Sequence, residues 1–154
     1  MDRPIATAAC IHEAGHALAA HLTGRLVTLV SIGANGCGTS EHEGSRPTLV
    51  PTASVLYLWA IATLAGEYAE WVNGFPMPKD LESPDRVRVD EIVRQLPGDP
   101  KATLRRLEDR TRAFVRQHND AIRRFAGILD AHGGRLSGPE VGHALEASLA
   151  NDHA

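Results

Sequence analysis

The segment His12-Glu13-Ala14-Gly15-His16 constrains this chain more than any other feature. Residues four apart on an α-helix lie on one side, about one turn above each other, so two imidazoles at this spacing can converge on a single cation. The flanks suit such a helix. Pro4 fits a first turn, Gly24 fits the position just past the end, and many alanines lie between them. A first helix is therefore expected from about Pro4 to Thr23. Neutral imidazole is a good zinc ligand, and Glu13 stands where it can reach a metal-bound water rather than the metal.

The rest of the chain reads as one mainly α (α+β) domain over residues 1–154, with about five helices, a small β-hairpin and the zincin-like H-E-x-x-H helix. With 154 residues, 43% of them hydrophobic, there is enough apolar material for a core without disulfide or metal staples. Arg25 to Gly33 is rich in β-branched residues and nearly alternating, as in a strand. Ala34-Asn35-Gly36 is a turn, and the polar Cys37 to Glu43 is a returning edge strand. Gly44 to Pro51 follows as a loop. Thr52 to Asn73 is a second helix closed by Gly74, apolar nearly all round at its start and therefore central. Phe75 to Lys79 is a loop. Ser83-Pro84-Asp85 starts a third helix running to about Leu96, and Asp99-Pro100 starts a fourth. In the fourth, Leu104, Leu107, Phe114, Ile122, Phe125 and Leu129 form an apolar stripe. Arg105, Arg106, Arg110, Arg112, Arg116, Arg123 and Arg124 lie opposite, read as a solvated face with Glu108, Asp109 and Asp120 rather than a nucleic-acid patch. Gly133-Gly134 stops this helix, and a short last one follows Ser137-Gly138-Pro139.

Several function classes are disfavoured. The uncharged stretch from Ala53 to Gly66 ends at Glu67, short of the roughly twenty residues of a membrane span. The formal net charge is -3, which gives no bulk attraction to nucleic acid. Two cysteines make no disulfide framework and point to a reducing, cytoplasmic setting. Met1-Asp2-Arg3-Pro4 lacks the pattern of a secretory signal.

A catalytic zinc site needs a third protein ligand and one open position. Leu22 occupies the place where the metzincin spacing would put a third histidine. Acids are the remaining candidates: Glu67 or Glu70 on the second helix, or Asp80, Asp85 and Asp90 near the third. Spacing alone does not choose among them.

Ala9-Cys10-Ile11-His12-Glu13-Ala14-Gly15-His16-Ala17-Leu18 resembles the zinc helix of the M41 peptidases, the protease domain of the FtsH family. Leu64-Ala65-Gly66-Glu67-Tyr68-Ala69-Glu70 is similar to the family's L-G-G-R-A-A-E segment, and Ser83-Pro84-Asp85 to its S-N-D segment, whose Asp is the third zinc ligand. The strand Leu26 to Ile32, the long fourth helix and Leu136 to Val141 also fit, so the likeness covers most of the chain. It implies zinc bound by His12, His16 and Asp85, Glu13 as catalytic base, and Glu70 behind a histidine. Glu67 stands where the family has Arg, Trp71 where it often has Glu, and Pro84 where it has Asn. The family's ATPase module and membrane anchor have no counterpart here, so the implied activity is ATP-independent.

The expected reaction is peptide hydrolysis by a metal-activated water, with Glu13 moving the proton. The expected substrate is a peptide or unfolded protein, bound by strand addition near Gly38, Thr39 and Ser40. A homo-oligomer or a separate ATPase partner is compatible with the resemblance. The alternatives are a non-catalytic zinc-containing binding or regulatory module, a zinc peptidase whose third ligand is a glutamate of the second helix, and a nucleic-acid binder using the arginine face. Among the other histidines, only His42 lies on an element expected near the metal.

Overall fold

Side-chain caps set where the helices begin. Residues 6–33, 38–43, 51–77, 83–150 and 152 are described in the computed structural model, 39–43 by their backbone alone. Thr7 accepts from the Cys10 N–H and opens α1, Ala8–Leu22. Thr52 accepts from Val55 and opens α2, Ala53–Val72. Ser83 accepts from Arg86 and opens α3, Pro84–Gln95, while Asp99 accepts from Ala102 and opens α4, Pro100–Ala131. Each cap contributes about 1 kcal/mol by satisfying an otherwise unpaired backbone donor. The first helix thus begins later than expected, because Thr7 takes the capping role; Pro4 lies outside the described residues. Gly24 and Gly74, just past α1 and α2, both take the left-handed backbone that ends a helix, with φ of 89° and 90°. The last helix is α5, Pro139–Leu149.

The expected hairpin is present as β1, Leu26–Ile32, antiparallel to β2, Gly38–Glu43, with Ile32 opposite Gly38 and Leu26 opposite Glu43. The turn at Ala34-Asn35-Gly36 and Cys37 lie outside the described residues, as do 44–50 of the following loop and 78 and 79 of the Phe75 to Lys79 loop. A third strand was not expected. β3, Arg135–Ser137, pairs with the other side of β1, giving the order β2-β1-β3 with β2 at an edge. Three residues are too few to show a strand periodicity; Leu136, opposite Val30, is buried in the shared core.

One core joins all five helices to the sheet. α1 and α2 cross closely because their contact is made of small residues. A Cβ on Gly15 would stand 2.6 Å from the Ala65 carbonyl oxygen and 2.9 Å from the Ala69 Cβ. The stripe on α4 buries Leu107, Ile122, Phe125 and Leu129 as expected, but it continues through Thr111 and Val115. Leu104 and Phe114 are half-buried at its margin, where Phe114 packs on His118. Among the described residues no helix is long and apolar enough to cross a membrane. On the arginine face of α4, Arg110 lies over Tyr57, Arg112 and Arg116 over Trp71, Arg112 also pairs with Asp109 as expected of a solvated face, and Arg124 binds the Ser148 carbonyl and Asp152.

Candidate metal centre

α1 and α2 run antiparallel, which sets His12 beside Glu70 and His16 beside Ala62. His16 Nδ1 lies 2.8 Å from the Ala62 carbonyl oxygen, and His12 Nδ1 lies 2.6 Å from Glu70 Oε1. A carbonyl or carboxylate oxygen can only accept, so each Nδ1 carries the proton. In the neutral rings, each Nε2 is then left with its lone pair. The two Nε2 atoms are 2.9 Å apart, and Asp85 Oδ2 stands 3.1 Å from the first and 3.2 Å from the second.

Three electron-pair donors therefore converge on one point. Ligands of a tetrahedral zinc at about 2.0–2.1 Å are about 3.3–3.4 Å apart. The observed triangle is close to that size, and the residues present fit the ion. His12, Glu13 and His16 bring one ligand-type atom each within 4.8 Å of one another. The site is open on one side, with side-chain exposures of 21% for His12, 14% for His16 and 29% for Asp85. Gly66 makes the approach possible, since a Cβ there would lie 2.6 Å from His16 Nε2 and 2.8 Å from His12 Nε2.

The electrostatics favour a cation. Burial would lower the pKa of His12, but hydrogen bonding to Asp85 and contact with Glu70 outweigh it and raise the value to about 10. Burial works against the charge on Asp85 too, yet the two imidazoles hold its carboxyl well below the usual carboxylate range. Glu13 is buried, and this desolvation pushes its pKa up, against the partial opposition of His16 and His12. Its Oε2 is buried with no hydrogen-bond partner among the described residues. An orphaned carboxylate oxygen is costly and is normally met by water, ion or ligand.

The other expected candidates separate cleanly. Glu67 does not face the imidazoles: it is fully buried, taking Arg86 Nε at 2.8 Å and the Ser83 hydroxyl at 2.9 Å. Asp90 pairs with Arg94 on an exposed face of α3. Asp80 lies outside the described residues. Glu70 sits behind His12 rather than at the convergence point. Gly38 lies against Glu13, and a side chain there would occupy the space of the Glu13 carboxylate. Thr39 and Ser40 continue β2 away from it, opposite Ser31 and Val30, while their side chains and that of His42 are outside the described set.

Two contributors, Gly66 and Arg86, were not legible as site residues in the sequence, while Gly38, expected beside a bound peptide, lies against Glu13. Gly66 acts by having no side chain, and the only signal was the small-residue spacing Ala62, Ala65, Gly66, Ala69. Arg86 fixes the start of α3 by bridging Glu67 on α2 to Glu108 on α4, at 2.8 and 3.0 Å. This anchors Asp85, its neighbour in sequence. No protein-family model matches the chain, and no curated protein matches it.

Proposed function

We propose that this chain is a zinc metallopeptidase resembling the M41 peptidases, with His12, His16 and Asp85 as the protein ligands. One observation supports the reading: His12 Nε2, His16 Nε2 and Asp85 Oδ2 stand about 3 Å from one another, so that once His12 gives up its extra proton three electron-pair donors face the place of one cation. Zinc, when bound, supplies Lewis acidity that acidifies a water and polarises a carbonyl.

The chain's own groups supply the rest. Glu13 takes a proton from the attacking water as its oxygen bonds to the scissile carbonyl carbon. It then returns that proton to the amine nitrogen as the C–N bond breaks. Its burial suits this task, because a raised pKa lies nearer the working pH. Glu70 and the Ala62 carbonyl hold the two rings in the required tautomer. The outer edge of β2 has no neighbouring strand among the described residues and begins beside Glu13 at Gly38, so an extended peptide added there passes the base. Gly38, Thr39 and Ser40 would contribute backbone groups to that pairing.

Three protein donors with an unpartnered Glu13 favour catalysis over a structural zinc module, which would use four. Glu13→Gln removes the base and keeps the shape. It should retain one equivalent of zinc and lower peptide cleavage by about 10²–10⁴-fold. Cleavage by Glu13→Gln at the native rate would contradict the assignment.

A further inference from the structure

A second cavity opens two turns away from the imidazoles. It has a volume of about 390 Å³ and is lined by Arg25, by Leu56, Trp59 and Thr63 of α2, and by Arg88 and Glu91 of α3. That is within the size range of ligand pockets. The same helices that carry the metal centre carry this cavity. Thr63 and Trp59 precede Gly66 by three and seven residues on the same side of α2, so Trp59 lies about 10 Å from the imidazoles along the helix. Arg88 follows Asp85 by one turn of α3. Arg25 follows α1 and leads into β1, whose first residue Leu26 pairs with the Glu43 end of β2, while the Gly38 end of β2 touches Glu13. The strand edge and the helix pair thus both lead from the metal centre towards Arg25.

Glu91 also lines the cavity, but it forms no ion pair with either arginine among the described residues. The Arg25 guanidinium lies 4.6 Å from the centre of the Trp59 ring, which fixes the plane of its fork. Its Nε is buried and has no hydrogen-bond partner among the described residues. Burial, and then the like charge of Arg88, both act against its protonated state. Neither arginine has an ion-paired acid among the described residues. A fork with an unspent donor, a second cation beside it and an aromatic wall match a carboxylate.

We propose that this cavity is a carboxylate-binding subsite, where Arg25 and Arg88 receive an acidic group of the substrate about three extended residues, roughly 10 Å, from the bond that is cut. The assignment rests on the peptidase reading for its substrate, and it names that substrate as an anionic peptide. The carboxylate has two possible sources, an Asp or Glu side chain or the chain's own C-terminus.

The zinc-loaded Glu13→Gln protein separates binding from cleavage. Fluorescence anisotropy is measured with labelled ten-residue peptides: one carrying Glu with an amidated end, one carrying Gln with a free end, and one carrying Gln with an amidated end. Wild-type protein is assayed on the same peptides by mass spectrometry. The Glu peptide or the free-ended peptide should bind about tenfold more tightly than the Gln amide, and which of them does so identifies the source. Adding Arg25→Gln and Arg88→Gln should bring that ratio to about one. Arg88→Glu should reverse it in favour of a Lys peptide, with far-UV circular dichroism confirming that each variant is folded. Equal affinity for all three peptides, or a ratio that survives the double substitution, overturns the subsite. Cleavage without acid preference sinks the subsite and leaves the peptidase standing. Acid preference that depends on Arg25, without any cleavage by the wild type, sinks the peptidase and leaves the subsite.

Discussion

His12 is where residue chemistry and function meet, because its ring is claimed from both sides. Glu70 holds Nδ1 and Asp85 faces Nε2, and the two carboxylates raise the pKa from 6.5 to about 10. In chelator-treated protein that pairing stabilises the fold fully below pH 6.5, the unfolded value. The contribution is lost as the pH rises through about 10. Zinc must displace the same proton, so its apparent affinity should rise with pH across this window, by at most about tenfold per unit. The melting temperature of the zinc-loaded protein should therefore pull away from that of the chelated protein between pH 6.5 and about 8.5. A gap that stays constant over this range would mean that zinc displaces no proton from His12. The sequence made His12, Glu13 and His16 legible because their relation is local: one helix fixes it. Asp85 is 73 residues from His12, and periodicity could place it on the first turn of a helix but not against two imidazoles. Only the resemblance singled it out from Glu67, Glu70, Asp80 and Asp90.

At the scale of elements, the third helix carries the proposed ligand Asp85, and α2 and α4 hold that helix in place. Glu67 is fully buried and binds both Arg86 and the cap Ser83, and Arg86 reaches on to Glu108. Glu67→Gln keeps the size and loses the charge. We expect it to destabilise the chain by about 1–3 kcal/mol, the effect of weakening a buried charge-assisted hydrogen bond, and to weaken zinc binding by about tenfold because Asp85 begins the helix that is loosened. Chemical denaturation and a chelator competition would measure the two effects. A destabilised variant with native zinc affinity would show that Glu67 supports the fold without positioning Asp85. This network was hidden in the sequence, since Glu67 and Arg86 are 19 residues apart on different helices. Helix boundaries were more legible, because Thr52, Ser83 and Asp99 announce their caps locally. β3 was hidden because its partner strand is 106 residues away, with Val30 opposite Leu136.

At the scale of the whole molecule, three helices converge on the candidate metal centre. α1 supplies two imidazoles and the proposed base, α2 supplies the ring supports and the gap at Gly66, and α3 supplies the carboxylate. The edge of β2 begins beside Glu13 at Gly38. The long fourth helix contributes no donor to the convergence point; it buries Phe125, Ile122 and Leu107 and braces the other three. Every element around that centre serves a single premise, that a metal ion sits between His12, His16 and Asp85. X-ray absorption at the zinc edge, on protein reconstituted with one equivalent of zinc, measures that premise most directly. The expected shell has two imidazole nitrogens and two oxygens at about 2.0–2.2 Å, one from Asp85 and one from water, with Asp85→Asn altering the oxygen shell. A thiolate at about 2.3 Å, a third imidazole, or no specifically bound zinc would contradict it.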